Sequence, residues 1–187
     1  MKKDFSAYTD KDLLKMMAGE KSEVDFGFKV IYHKYAPRVH AYCMRVLNSR
    51  EEAEDIFQET FVKFFEKVKA DFQSSSIQGF LITIARNLCL NYKRDKKSTI
   101  DLEDFHLIID GNQQNEQKEI FDMIKMAMEL IEFEYREPLI LRLYDGLSYE
   151  EIAEICEISC ENARKRVFRA KQKIRAIIEP NLKEMYN

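Results

Sequence analysis

Apolar positions recur at spacings of three and four through most of the chain, the pattern of amphipathic helices. From Glu51 onward, Ala53, Ile56, Phe57, Thr60, Phe61, Phe64, Phe65 and Val68 trace one such stripe. Ser49-Arg50-Glu51-Glu52 opens it as a capping box, in which Ser49 and Glu52 each satisfy an amide donor left free at the helix start. Upstream, Ile31, Tyr35, Val39, Tyr42, Cys43 and Val46 keep the same period, and Pro37 is expected to start or kink a helix there. Downstream, Ile77, Phe80, Leu81, Ile84, Ala85, Leu88 and Tyr92 form a third stripe. The polar loop Asp71-Phe72-Gln73-Ser74-Ser75-Ser76 leads into it.

From Ser98 to about Glu119 the period disappears. Asp101, Glu103, Asp104, Asp110, Glu116 and Glu119 stand there against Lys118, so the stretch reads as a solvated acidic linker. Helical period returns with Phe121, Ile124, Met128 and Ile131 and continues through Leu139, Ile140 and Leu143. No internal repeat is present. The expected fold is all-α, two small helical bundles joined by a flexible acidic linker. The expected boundaries are an N-terminal segment at 1–21, a first bundle at 22–97, the linker at 98–119, a second bundle at 120–183 and a tail at 184–187.

Composition narrows this further. Only 5 Gly and 3 Pro among 187 residues leave few turn boundaries, which disfavours a sandwich or barrel. With 30 Lys plus Arg against 33 Asp plus Glu, the net charge of −3 excludes a uniformly basic nucleic-acid binder, so any such surface has to be local. No run approaches the roughly 18 apolar residues of a membrane span. Met1-Lys2-Lys3-Asp4-Phe5 has no apolar stretch behind it, so no signal peptide is expected and the chain reads as soluble and cytoplasmic. Cys43, Cys89, Cys156 and Cys160 are mostly far apart, unlike a disulfide scaffold.

The segment from Asp145 to Val167 concentrates the functional signal. Gly146 ends one helix, and Ser148 with Glu151 makes a second capping box. A short helix buries Ile152, Ala153 and Ile155, Ile158 sits in a tight turn and Ser159 caps a longer helix. That helix turns Ala163, Val167, Ala170, Ile174 and Ile177 inward, which is the arithmetic of a helix-turn-helix. Its other faces carry Arg164, Lys165, Arg166, Arg169, Lys171, Lys173 and Arg175 against Glu161 alone. Such cations suit DNA phosphates, whose neutralisation releases counterions. Glu161, Asn162 and Lys165, near the helix start, would face base edges. A second basic cluster, Arg86, Lys93, Arg94, Lys96 and Lys97 interleaved with Phe80, Asn87, Asn91 and Tyr92, suits single-stranded or distorted DNA. Phe80 and Tyr92 equally fit the core stripe.

Three stretches together resemble one family. The run from Ser49 to Phe65 resembles the core-polymerase-binding helix of extracytoplasmic-function (ECF) sigma factors, of the sigma-70 type. Phe80 to Asn87 resembles the helix with which that family reads the promoter −10 element, and Ser148 to Arg169 its −35-reading helix-turn-helix. The three fall in the family's order and spacing and cover most of residues 22 to 178.

The resemblance implies a dissociable promoter-specificity subunit with no cofactor, metal or catalysis of its own. Asp55, Gln58, Glu59 and Phe61 would bind the core RNA polymerase, the exposed acids meeting the clamp coiled coil. Gln73, Ser75 and Gln78 would capture a flipped −10 base, an act that costs a few kcal/mol of unstacking. Arg86, Asn87, Lys93 and Arg94 would hold the melted −10 strand. Ser159, Glu161, Asn162, Arg164, Lys165, Arg166 and Arg169 would contact −35 duplex. The linker would run toward the polymerase active-site and RNA-exit path, and an anti-sigma partner is implied. This chain departs from the family pattern at Phe80, where Trp is usual, at Asn91 for Asp, at Glu157 for Gly in the turn, and at Lys165 for a small polar residue. If residue 157 needs positive φ, a Glu there costs about 1 kcal/mol.

Two other classes compete. A helix-turn-helix regulator acting without polymerase would need neither the Glu51–Phe65 helix nor the basic helix after it. A metal-dependent enzyme or redox sensor would draw on His40 with Cys43 or Cys156 with Cys160, spaced three and four apart. Cys156 and Cys160 straddle the turn and Cys43 lies in an apolar stripe, so small buried residues explain them better. His33, His40 and His106 form no catalytic set.

Overall fold

The computed structural model describes residues 5, 7–47, 49–70, 76–96 and 115–185, and every regular element among them is an α-helix. In chain order these are α1 (Asp10–Met17), α2 (Lys21–Val46), α3 (Arg50–Ala70), α4 (Ile77–Lys96), α5 (Asn115–Leu130), α6 (Phe133–Leu143), α7 (Tyr149–Cys156) and α8 (Cys160–Met185). The chain divides into two units, Met1–Leu102 and Glu103–Asn187. No helix among the described residues is long and apolar enough to cross a membrane.

The first unit is built on α2, which packs against α1, α3 and α4. Its expected stripe is buried in full, from Ile31 through Tyr35, Val39, Tyr42 and Cys43 to Val46. Ala53, Ile56, Phe61 and Phe64 meet it from α3, and Ile77, Leu81, Ile84, Ala85 and Leu88 from α4. Burying a side chain as large as Phe64 or Leu81 stabilises by about 1.5–3 kcal/mol. Pro37 neither starts nor ends a helix; it lies inside α2. Pro37 is exposed, so water can reach the carbonyl its missing N–H would have met, while packing holds the chain helical on both sides.

Residues 1–21 contain a helix that apolar period did not single out. Thr9 caps α1, its Oγ1 accepting from the Asp12 amide at 3.2 Å while its own amide donates to Asp12 Oδ2 at 3.1 Å. The hydrogen bonds from Thr9 hold the Asp12 carboxyl below its ordinary value. Leu13 and Met17 are buried by the crossing onto α2, where Gly27 faces Met16.

In the second unit, Ala127, Met128 and Ile131 pack with Leu139, Ile140 and Leu141 of α6, Ile152 and Ile155 of α7, and Ala163, Val167, Ala170 and Ile178 of α8. Arg136 is buried and its Nη1 donates to the carbonyls of Met128 at 3.3 Å and Glu129 at 3.4 Å, satisfying acceptors at the end of α5. The expected linker lies outside the described residues up to 114, but its last five residues, 115–119, are helical. Apolar period marks where a helix has a face to bury, and a backbone ladder can begin a turn earlier.

The α1–α2 crossing carries a test. A Cβ on Gly27 would lie 2.9 Å from Met16 Cβ, too close without a backbone shift. Gly27→Ala gains about 1 kcal/mol of helix propensity, whereas overpacking costs about 1–3 kcal/mol. Urea unfolding should show net destabilisation; a variant more stable than the wild type would mean that α1 moves aside freely.

Candidate functional site

The helix-turn-helix forms from α7, three connecting residues and α8. Ser148 caps α7, its Oγ accepting from the Glu151 amide at 3.1 Å while Glu151 Oε2 accepts from the Ser148 amide at 2.8 Å. Helix α7 ends at Glu157 with φ 56 and ψ 45, the left-handed conformation. Glu157 donates its amide to the Glu154 carbonyl at 3.3 Å, and Ile158 to the Ala153 carbonyl at 3.0 Å, which is the Schellman arrangement. Ser159 then caps α8, its Oγ accepting from the Asn162 amide at 3.2 Å. Ala153 and Ala163 are buried where the two helices meet.

Tertiary contacts sort the cations of α8. Arg166, expected on a phosphate, is half-buried and paired with Glu134 of α6 at 3.2 Å, so it braces α8 on α6. Lys173 does the same with Glu132 at 2.9 Å and lies 5.1 Å from the Tyr135 ring centroid. Arg164 is exposed and steered: it stands 3.7 Å from Glu150 and 5.4 Å from the Tyr149 ring centroid, which Arg142 covers at 4.9 Å. Hydrogen bonds from its own backbone amide and then the Cys160 thiol hold the Glu150 carboxyl below its ordinary value. Burial, then Glu150, push the Cys160 thiol up, so Cys160 ties α8 to α7 as a protonated donor at 3.3 Å. Glu161 and Lys165 are exposed and pair at 2.6 Å, and Lys165 holds the Glu161 carboxyl below its usual range. An exposed pair of this kind contributes about 0.3–0.5 kcal/mol, little enough for a ligand to displace it.

Arg169 and Lys171 are exposed and have no acidic partner among the described residues. Between them and Lys165 stands Phe168, 61% exposed. The expected site set left Phe168 out. Its place off the inward stripe was the available signal.

On α4, Asn87 and Arg94 are exposed, and Arg86 and Lys93 are half-buried. Phe80 is half-buried and packs its ring 6.1 Å from Phe64 and 5.9 Å from Lys67 Nζ. Gln73 and Ser75 lie outside the described residues. Gln78 does not stand free for a base. It is only 8% exposed, and its Oε1 accepts from Arg38 Nη1.

Helix α3 places Asp55, Gln58, Glu59 and Val62 together on one exposed face, with Glu59 paired to Lys63 at 2.9 Å. Phe61, expected at the polymerase surface, is 4% exposed. It forms instead the floor of an apolar groove between α2 and α3, its ring 4.8 Å from Tyr32 and 5.4 Å from Phe57. Phe28 and Phe65 extend the aromatic lining, 5.2 Å apart. Tyr32 at 44% and Val62 at 58% exposure stand at its mouth, and Asp25, Gln58 and Glu66 line it with polar groups. Phe28 and Tyr32, four apart on α2, were not anticipated; Phe28 is half-buried and Tyr32 exposed, whereas Tyr35 and Tyr42 on the same helix are buried.

Comparison with known proteins places these features. A family model for sigma-70 region 2 matches residues 31–99, and one for sigma-70 region 4 matches 121–174. The chain is 29% identical to the ECF RNA polymerase sigma factor SigM of Bacillus subtilis over 79% of its length and 92% of that protein's. It is 28% identical to the ECF RNA polymerase sigma-E factor of Haemophilus influenzae, over 92% and 96% of the two chains. Among solved structures, the sigma factor RpoE in complex with the anti-sigma factor NepR from Bartonella quintana shares the fold, with a TM-score of 0.66 and 24% identity over 81% of this chain and 96% of that one. CnrH in complex with the cytosolic domain of CnrY also reaches 0.66, at 15% identity over 91% and 97%.

The strained turn yields a measurable consequence. Glu157 is the one non-glycine residue at positive φ among those described. Glu157→Gly removes the Cβ clash at a left-handed helix end, worth about 1 kcal/mol. Chemical denaturation of the variant should show that gain; a loss would mean the Glu157 side chain holds the turn by contacts that outweigh the strain.

Proposed function

The chain belongs to the ECF sigma factors of the sigma-70 type, and we propose from that premise how its two units divide the work of starting transcription. It is an alternative RNA polymerase sigma factor, a transcription initiation factor. The first unit docks on core polymerase through the α2–α3 groove: Tyr32 and Val62 insert against an apolar partner helix while Asp55, Gln58 and Glu59 meet its cations. The exposed side of α4, with Asn87 and Arg94 flanked by Arg86 and Lys93, holds the melted −10 strand. The second unit reads −35 duplex with Glu161, Asn162, Lys165 and Phe168 at base edges, Phe168 suiting a thymine methyl. Arg164, Arg169 and Lys171 meet phosphates.

The observation that carries this reading is the separation of surfaces: an aromatic groove beside acids on one unit, and on α8 of the other the exposed Arg169 and Lys171, without acidic partners among the described residues. A regulator that works without polymerase is disfavoured because it needs no region 2 and no such groove. The two solved neighbours in fold are each held by a second protein, one of them an anti-sigma factor. That supports an anti-sigma partner here. The protein then works in the cytoplasm, where polymerase is.

Adding the pure protein to core polymerase should produce transcription from a restricted promoter set; duplex binding without core binding would return the chain to the simple regulator. Val62→Glu, on an exposed position, should weaken core affinity about tenfold or more by burying a charge in the interface.

Within the −35 element, Asn162→Ala and Lys165→Ala should shift base preference by about 1–3 kcal/mol at single positions. Arg169→Ala should weaken all sequences alike and lower the salt slope by about 1. Uniform losses from all three would undo the base-reading assignment.

A further inference from the structure

We propose that Asp10, Tyr35 and Arg38 form a latch that sets the first turn of α4, and that Gln78 is a positioning residue within it rather than a base contact. The proposal rests on reading α4 as the helix that faces the −10 strand. Two side chains, Asp10 of α1 and Arg38 of α2, reach two consecutive residues of α4, and Tyr35 of α2 holds Asp10 in place. Asp10 Oδ2 accepts from the Ile77 amide, the first of the helix, at 3.1 Å. Asp10 Oδ1 accepts from the Tyr35 hydroxyl and from Lys34 Nζ, the latter at 3.3 Å. Arg38 Nη1 donates to Gln78 Oε1. Ser76 completes the turn from within, its Oγ accepting from the Gly79 amide at 3.1 Å.

Burial gives these bonds their weight. Tyr35, Ile77 and Gln78 are all buried, and a buried donor left unmatched costs about 1–3 kcal/mol. The Asp10 carboxylate also sits at the positive end of α4, where a negative charge is favourable. Burial first, then the Asp10 hydrogen bond, push the Tyr35 hydroxyl's pKa well above its usual value, so it remains a neutral donor at physiological pH. Tyr35 and Arg38 are three apart and so lie along one side of α2. The direction in which α4 leaves its first turn, and with it where Asn87 and Arg94 face, is thereby set against α1 and α2.

The test uses holoenzyme reconstituted with core polymerase and a fluorescent single-stranded −10 oligonucleotide selected with the wild type. Strand affinity and core affinity are measured for Gln78→Ala, Arg38→Ala, their double variant and Asp10→Ala. The latch predicts that each single variant loses about fivefold in strand affinity and that the double loses no more than either, as expected for groups acting through one contact. The loss should be equal on oligonucleotides changed at any one base, with core affinity unaltered. Gln78→Glu, which keeps an acceptor for Arg38, should restore strand affinity.

Losses that multiply in the double variant, or that vanish when one base is changed, would make Gln78 a base contact and overturn the proposal. Parallel losses of core and strand affinity would reduce the latch to general stability. If Asn87→Ala and Arg94→Ala weaken the strand but the latch variants do not, the latch alone fails. If Asn87→Ala and Arg94→Ala have no effect either, the reading of α4 fails and the latch with it.

Discussion

The first turn of every helix leaves amide donors that the helix itself cannot satisfy, and the partners found for them determine how this molecule presents its outward-facing helices. For α7 and α8 the partners are local: Ser148 with Glu151, then Ser159, all within three residues of the amides they serve. For α4 one partner is distant, since Asp10 reaches the Ile77 amide across 67 positions of sequence. The second unit can therefore build its helix-turn-helix largely from neighbouring residues. The first unit holds the start of α4 partly through Asp10 of α1 and partly through the local Ser76 cap.

Charge follows the same logic. The nearly balanced composition, 30 bases against 33 acids, hides surfaces that oppose one another. Glu132 and Glu134 at the start of α6 take up Lys173 and Arg166, so two cations that look available along α8 hold the unit together. What remains for a polyanion is a narrower set around Arg164, Arg169 and Lys171. On α3 the acids Asp55 and Glu59 stand on the outer face while the rings of Phe57 and Phe61 turn toward α2, so the acidic face and the aromatic groove share one helix.

Much of this was legible before any coordinates. The three apolar stripes of the first unit, the capping boxes and the helix-turn-helix follow from short-range rules, because spacing and capping are properties of a few adjacent residues. Glu157 stands out by the same kind of rule, and its positive φ agrees with the turn that the spacing demands. Helix α1 escaped because its apolar stripe, with Leu13 and Met17 buried, runs for only eight residues. Pro37 does not start a helix, because α2 runs through it and is held by three neighbours.

The sequence by itself determined the helical class, the order of the two units, and which residue types lie on which side of each helix. Those are consequences of period, charge and caps, all local. Only the tertiary structure decided which of the marked residues remain available. Gln78 and Phe61 are drawn inward, Arg166 is taken by Glu134, and Phe168, Tyr32 and Val62 are left standing out. The reason is that exposure depends on what packs opposite a helix face. No spacing along one helix records what another helix brings to it.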